Sequence, residues 1–137
     1  MKLNTINNVK KINLTSIRSQ SAVINVFEEI NKYFVIKRIF TITINDLNNN
    51  FRGKHAHKID KQIITCPYGS IKFTVKDGKR KKSLLLNNPK FAIYVPQHIW
   101  TETEYLLKNT VVVCYSSSKF NEKSYIRNYN DFLKFRK

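Results

Sequence analysis

The sequence has few cysteines and no long apolar run. Its only cysteines, Cys66 and Cys114, each lie in an apolar, strand-like run, which favours two reduced core thiols over a disulfide or a metal clamp. No segment offers the roughly 20 apolar residues that cross a membrane. Asparagine and lysine interrupt the start, M-K-L-N-T-I-N-N-V-K-K, where a secretory signal needs an apolar stretch. These absences predict a soluble, cytoplasmic protein that does not associate with a membrane.

Acidic residues are also scarce, since 9 Asp and Glu face 25 Lys and Arg and the formal net charge is +16. A field of this sign attracts anions such as nucleic acid, an anionic membrane or a phosphorylated small molecule, and the charge alone does not choose among them. The densest basic run, K-D-G-K-R-K-K at 76–82, contains Asp77-Gly78, a strong hairpin signal between alternating segments. We therefore predict that most of this run is a solvated turn, and we expect no nucleic-acid partner.

Glycine is rare as well, and the three glycines separate short apolar runs. These runs lie at 22–27, 33–44, 62–66, 70–75, 83–86, 91–95, 100–104 and 110–115. Their richness in β-branched and aromatic residues is typical of an antiparallel sandwich or barrel. Near the end, Tyr125, Tyr129 and Phe132 recur at helical spacing. The sequence predicts one all-β domain over 1–137, closed by a short C-terminal helix.

Histidine occurs three times, and two of the three lie close together in R-G-K-H-A-H-K-I-D-K-Q at 52–62. In a strand, His55 and His57 would project from the same face, because side chains alternate with a period of two. Such a pair suits a metal site, an acid/base site or a hydrogen-bonded interior. Two adjacent imidazoles can exchange a proton near neutral pH, which the migration of a carbonyl group needs.

A jelly-roll barrel with a histidine pair on an inner strand resembles the cupins. Metal-binding cupins add a carboxylate and a further histidine, and those positions fall here on Gln62 and Thr101. A neutral amide and a hydroxyl are poor ligands for a divalent transition ion. His98 lies three residues before Thr101, which aims it at the other face of a strand. We therefore predict no metal.

Three further stretches sharpen the resemblance: F-E-E-I-N-K-Y-F-V-I-K-R-I at 27–39, Y-V-P-Q-H-I-W-T-E at 94–102 and Y-I-R-N-Y-N-D-F at 125–132. Together with R-G-K-H-A-H-K they are similar to the cofactor-independent cupin sugar isomerases that act on dTDP-4-keto-6-deoxyglucose. The resemblance implies a cupin jelly-roll barrel without a cofactor. It also implies a 3,4-ketoisomerase that moves the keto group from carbon 4 to carbon 3 through an enediol(ate). The product would feed the biosynthesis of a 3-amino-3,6-dideoxyhexose for surface glycans.

The same resemblance assigns roles to individual residues. It makes His57 the base and His55 its partner in proton transfer or in stabilising the developing oxyanion. Arg52, Lys58 and Arg127 would hold the pyrophosphate. Three further residues would bind substrate: Gln62, Thr101 and Trp100, the last of which is equally compatible with a core position.

The chain departs from the family pattern at a position where members carry a proton-donating tyrosine, since Phe40 stands there and Thr41 follows. Phenylalanine cannot donate a proton, so water or a tyrosine from another strand, such as Tyr94, would have to replace it. Core packing is the other role open to Tyr94. Phe40 and Thr101 also support an alternative, a non-catalytic cupin module that binds a nucleotide sugar or carbohydrate without turning it over.

The resemblance finally predicts a homodimer, possibly built by exchange of an N-terminal strand between the subunits. The candidate strand lies at 22–27. A twofold symmetric dimer is also the commonest assembly of soluble proteins.

Overall fold

The computed structural model describes residues 1–137. Twelve strands and one α-helix form the chain: β1 (Lys10–Asn13), β2 (Thr15–Arg18), β3 (Val23–Val26), β4 (Arg38–Thr43), β5 (Phe51–His57), β6 (Gln62–Tyr68), β7 (Ile71–Lys76), β8 (Lys81–Leu86), β9 (Phe91–Val95), β10 (Trp100–Tyr105), β11 (Val111–Ser116), β12 (Tyr125–Ile126) and α1 (Tyr129–Phe135). Short 3-10 turns lie at Ile6–Asn8, Glu28–Lys32 and Glu122–Ser124. The predicted all-β fold with a short C-terminal helix is confirmed.

The strands form two five-stranded antiparallel sheets and a separate hairpin. The first sheet has the order β1-β9-β6-β11-β4, the second has the order β12-β5-β10-β7-β8, and β2 pairs only with β3. Neighbours in each large sheet are mostly distant in sequence, as in a jelly roll. None of the helices has the length and apolar character to span a bilayer.

The main core lies between the two large sheets and follows the two-residue repeat of the strands. In β7, for example, Ile71, Phe73 and Val75 are buried while the residues between them are more exposed. The first sheet contributes buried residues that include Cys66 and Cys114, both of them free. The prediction of two reduced core thiols is therefore confirmed.

The apolar run at 33–44 contains less strand than its composition suggests. β4 begins only at Arg38, and a 3-10 turn occupies 28–32. The rings of Tyr33 and Phe34 instead pack against Tyr94, with centroids 4.6 and 6.5 Å away. The neighbours of Tyr94 in β9 face the main core, so Tyr94 points to the outer face of the first sheet. The packed rings therefore cover that outer face.

The predicted hairpin turn joins β7 to β8 at Asp77-Gly78. Gly78 has φ +88°, a conformation that glycine adopts without steric cost. The buried carboxylate of Asp77 accepts hydrogen bonds from the backbone amides of Ile6, Lys79 and Arg80. The turn therefore does more than expose charge, because it also anchors the N-terminal segment.

Candidate active site

Strand β5 places both histidines of the pair inside the barrel. The Nε2 atoms of His55 and His57 lie 3.1 Å apart, and their rings meet edge to face. The predicted common orientation is confirmed, because residues two apart on a strand share a face. At a separation of 3.1 Å one ring donates a hydrogen and the other accepts it.

A cavity of about 210 Å³ opens beside the pair, between the two large sheets. Its polar wall consists of Arg52, His55, Gln62, Thr101, Thr103, Tyr105, Tyr125 and Arg127, and its apolar wall includes Phe40, Ile42, Ile64, Phe73 and Val112. His55 faces the cavity directly. His57 is buried behind it and contacts His55. The pair therefore acts on the cavity as a unit.

Both imidazoles are neutral at neutral pH. Burial, together with the positive charges of protonated His57 and of Arg127, lowers the pKa of His55 to about 3. Burial also lowers the pKa of His57 to about 4, although the nearby Asp60 carboxylate opposes this shift. A neutral imidazole can accept a proton, so both rings are in the form that a general base requires.

Tyr125 packs against both rings of the pair. It lies opposite His57 in the β12–β5 pairing, and its ring centroid is 4.4 Å from that of His57 and 5.1 Å from that of His55. The guanidinium of Arg127 stacks 4.4 Å from the centre of the Tyr125 ring. It also pairs with Glu122 through two hydrogen bonds of 2.6 and 2.9 Å. Because this ion pair is exposed, an incoming phosphate can compete with Glu122 at little cost.

The buried Asp60 is a feature of the site that sequence reasoning missed. Its Oδ2 accepts hydrogen bonds from Ser116 Oγ at 2.7 Å, Gln62 Nε2 at 3.0 Å and Arg38 Nη2 at 3.3 Å. Burial alone would raise the pKa of Asp60, but the hydrogen bonds from Ser116 and Gln62 and the nearby His57 hold it below its usual value. Nothing in the sequence signals this contact, because Asp60 and Ser116 are 56 positions apart.

The Asp60 network fixes the orientation of Gln62. The Nε2 group of Gln62 donates both to Asp60 and to Ser116 Oγ, the latter at 3.1 Å. Since an amide nitrogen has only two hydrogens to donate, the carbonyl oxygen Oε1 is the polar atom left for a ligand. Gln62 is thus placed as a hydrogen-bond acceptor on the cavity wall.

The other residues assigned from the sequence divide into those on the cavity and those outside it. Thr101 and Arg52 line the cavity, and Thr101 Oγ1 donates to the carbonyl of Gly53 at 3.1 Å. Lys58 lies outside, in a surface groove that shares Tyr125 and Arg127 with the cavity.

Trp100 is not on the cavity. It packs beneath helix α1 against Tyr129 and Phe132, with ring centroids 5.1 and 5.6 Å away, and its Nε1 donates to Glu102 at 3.0 Å.

Phe40 lies on the cavity wall with the Arg38 guanidinium 5.2 Å from its ring centre. Tyr94 is on the other face of its sheet, among the rings that cover the barrel, so it does not reach the cavity. His98 packs against Phe135, with centroids 5.6 Å apart, and is likewise outside. The tyrosines that do line the cavity are Tyr105 and Tyr125.

Comparisons with known proteins agree with this architecture. Residues 7–137 match the model of the family described as WxcM-like, C-terminal. The chain belongs to this family. The match covers the histidine pair, the cavity and the C-terminal helix.

Several known proteins resemble the chain over almost its whole length. TDP-4-oxo-6-deoxy-alpha-D-glucose-3,4-oxoisomerase from Aneurinibacillus thermoaerophilus is 31% identical over 132 residues, which are 96% of this chain and 91% of that protein. A sugar 3,4-ketoisomerase from Thermoanaerobacterium thermosaccharolyticum in complex with TDP has a TM-score of 0.87 at 30% identity and covers 94% of each chain. A TDP-quinovose 3,4-ketoisomerase from Campylobacter jejuni has a TM-score of 0.86 at 32% identity, covering 94% of this chain and 99% of that one.

Proposed function

We propose that this WxcM-like protein is a cofactor-independent dTDP-sugar 3,4-ketoisomerase of the cytoplasm. The observation that carries the proposal is the neutral histidine pair beside a cavity with mixed polar and apolar walls. The likeness of the whole chain to proteins that are named as 3,4-ketoisomerases supports the same reaction. The product would carry a ketone at carbon 3, which is the group that an aminotransferase converts into the 3-amino sugar of a surface glycan.

The reaction begins with removal of the proton at carbon 3, which the neighbouring carbonyl at carbon 4 makes acidic. The histidine pair accepts this proton: His55, which faces the cavity, is the partner that passes it to the base His57 across the 3.1 Å contact between their Nε2 atoms. The resulting enediolate carries negative charge on the carbon 4 oxygen, and the proton of the carbon 3 hydroxyl passes to that oxygen. Protonation of carbon 4 then leaves the carbonyl at carbon 3. Gln62 accepts a hydrogen bond from a sugar hydroxyl, and Thr101 lines the wall against which the sugar packs.

The nucleotide end of the substrate extends out of the cavity, which is smaller than the roughly 300–1,000 Å³ of sites that enclose a whole drug-sized ligand. Arg127 and Arg52 border the cavity and bind the pyrophosphate, for which the planar guanidinium is well suited. Lys58 extends this basic surface along the adjoining groove. The negative charge of the bound pyrophosphate also favours protonated histidine, so it raises the pKa of the pair towards neutrality when substrate is present.

A proton NMR time course tests the proposal directly. The purified protein is incubated with dTDP-4-keto-6-deoxyglucose in D₂O, and we expect deuterium to enter at carbon 3 while resonances of a 3-keto sugar appear. Binding without exchange and without product would contradict the isomerase. That result would favour the alternative, a non-catalytic module that binds a nucleotide sugar or carbohydrate, with Phe40 and Thr101 as the residues that set it apart from active relatives.

We propose in addition that the β2–β3 hairpin forms the contact of a homodimer. The hairpin pairs with no other strand, and its Ile17, Val23 and Ile24 are 54%, 47% and 58% exposed. An isolated two-stranded hairpin is marginally stable in water, so a covering surface would stabilise it. A second copy of the chain supplies such a covering surface by twofold symmetry. The family resemblance implies that the two copies exchange the strand at 22–27.

Sedimentation velocity at micromolar concentration is expected to find a dimer. Ile24→Lys should shift the protein towards the monomer, because it places a charge in the apolar contact. Leu107→Lys is the matched control, since Leu107 is 53% exposed on a different turn, and it should leave the dimer intact. A wild-type monomer, or equal dissociation by both variants, would contradict the hairpin contact.

A further inference from the structure

The proposed reaction needs an acid that delivers a proton to carbon 4, and the histidine pair is occupied with carbon 3. Phe40 has no proton to give. Thr101 uses its hydroxyl to donate to a backbone carbonyl. The Cys114 thiol is only a weak hydrogen-bond donor, so it orients a ligand less well than a phenol does. The remaining candidates on the cavity wall are the two tyrosines, Tyr105 and Tyr125.

Two hydrogen bonds fix the backbone of Tyr105 beside the cavity. Tyr105 ends β10 and shares a face of that strand with Thr101 and Thr103, which line the same space. Its amide donates to the carbonyl of Asn50 at 2.8 Å, and its carbonyl accepts from the Asn50 side chain at 2.9 Å. A fixed backbone limits where the phenol can lie, and proton transfer depends on such positioning.

The hydroxyl of Tyr105 lacks a partner although the residue is only 1% exposed. It makes no hydrogen bond within the protein and keeps some accessible surface, and the residue lines the cavity. A bound ligand can therefore pair with this hydroxyl. Tyr125 also lines the cavity but is only half-buried.

The surroundings of Tyr105 keep it in the form of an acid. Burial, together with the nearby thiols of Cys66 and Cys114, raises its pKa well above the usual value for tyrosine. Cys114 is the residue paired with Phe40 across β11 and β4. The phenol is therefore close to the wall segment that carries Phe40, where the proton donor is missing.

We propose that Tyr105 donates the proton to carbon 4 of the enediolate. In this step the phenol O–H bond breaks and a C4–H bond forms, while the electron pair of the enediolate moves to make the carbonyl at carbon 3. The phenolate then recovers a proton from the protonated histidine pair through solvent, which restores both groups. This inference rests on the proposed ketoisomerase function, and it adds a catalytic residue to the site.

Tyr105→Phe separates the two proton transfers in D₂O. We expect deuterium exchange at carbon 3 to continue, because the histidine pair is intact, while formation of the 3-keto product falls by about 10²–10⁴-fold, the usual contribution of a general acid. Tyr94→Phe is the matched control, since it makes the same change outside the cavity and should leave both rates unchanged. The midpoint of thermal unfolding of Tyr105→Phe should not fall, because the hydroxyl that it loses has no protein partner.

Three outcomes would overturn the assignment of Tyr105. Product formation within twofold of the wild type would remove the need for its hydroxyl. An equal loss of exchange and product would indicate a structural role. Exchange without product in Tyr125→Phe, but not in Tyr105→Phe, would transfer the role to Tyr125. All three differ from a failure of the ketoisomerase proposal itself, in which the wild-type protein would show neither exchange nor product.

Discussion

His57→Asn is expected to lower kcat by about 10²–10⁴-fold, the range associated with loss of a general base. The asparagine amide cannot accept a proton, whereas the neutral imidazole can. The substitution also removes the Nε2 atom that lies 3.1 Å from His55, so the ring that faces the cavity loses its proton-transfer partner. Because the pair acts as a unit, deuterium exchange at carbon 3 should stop together with product formation. This pattern differs from the exchange without product that is expected for Tyr105→Phe.

His98→Asn provides the matched control for this prediction. His98 is 4% exposed and His57 is 6% exposed, and each has a buried Nδ1 without a hydrogen-bond partner. His98 lies outside the cavity and has φ +73°, a conformation that asparagine tolerates well. The control should keep its kcat and fold. If His57→Asn retained more than a tenth of the wild-type kcat with an unchanged circular dichroism spectrum, His57 would not be the base.

The parts of the fold that the sequence predicts correctly are those set by local rules. The alternation of side chains is enough to place His55 and His57 on one face, and Asp77-Gly78 is enough to predict its hairpin. The family resemblance assigns both Trp100 and Thr101 to the substrate, but adjacent strand residues point to opposite faces. Thr101 lines the cavity, whereas helix α1 covers Trp100 on the outer face of β10.

The parts that the sequence does not predict depend on contacts between distant segments. Asp60 meets Ser116 only because β6 and β11 are neighbours in the first sheet. Tyr105 reaches the cavity through the antiparallel pairing of β10 with β7, which sets its register against Ile71. A register shift in the pairing of β10 with β5, near Gly53, also brings Arg52 opposite Thr103. Irregularities of this kind re-aim side chains beside functional sites, and no local pattern signals this one.

Gly69→Ala is expected to destabilise the fold by roughly 2–6 kcal/mol, because it combines backbone strain with a steric clash. Gly69 has φ +93°, and a Cβ atom there would lie 2.7 Å from the Cα atom of Thr110 and closer still to its side chain. Thr110 cannot move aside easily. Its hydroxyl donates to the carbonyl of Leu107 at 2.7 Å and accepts from the amide of Ser70 at 3.2 Å. A change of this size lowers the midpoint of thermal unfolding by about 10–20 °C in a domain of this length.

Gly53→Ala separates the clash from the strain. Gly53 also has a positive φ of +71°, but the nearest atoms to a Cβ there are 3.7 to 3.9 Å away, which is ordinary van der Waals contact. This control should therefore cost only the backbone strain, about 1–2 kcal/mol. Urea unfolding of both variants measures the difference. Equal destabilisation would mean that the chain around Thr110 yields to the added methyl group, and that the tight turn between β6 and β7 contributes less to stability than its hydrogen bonds indicate.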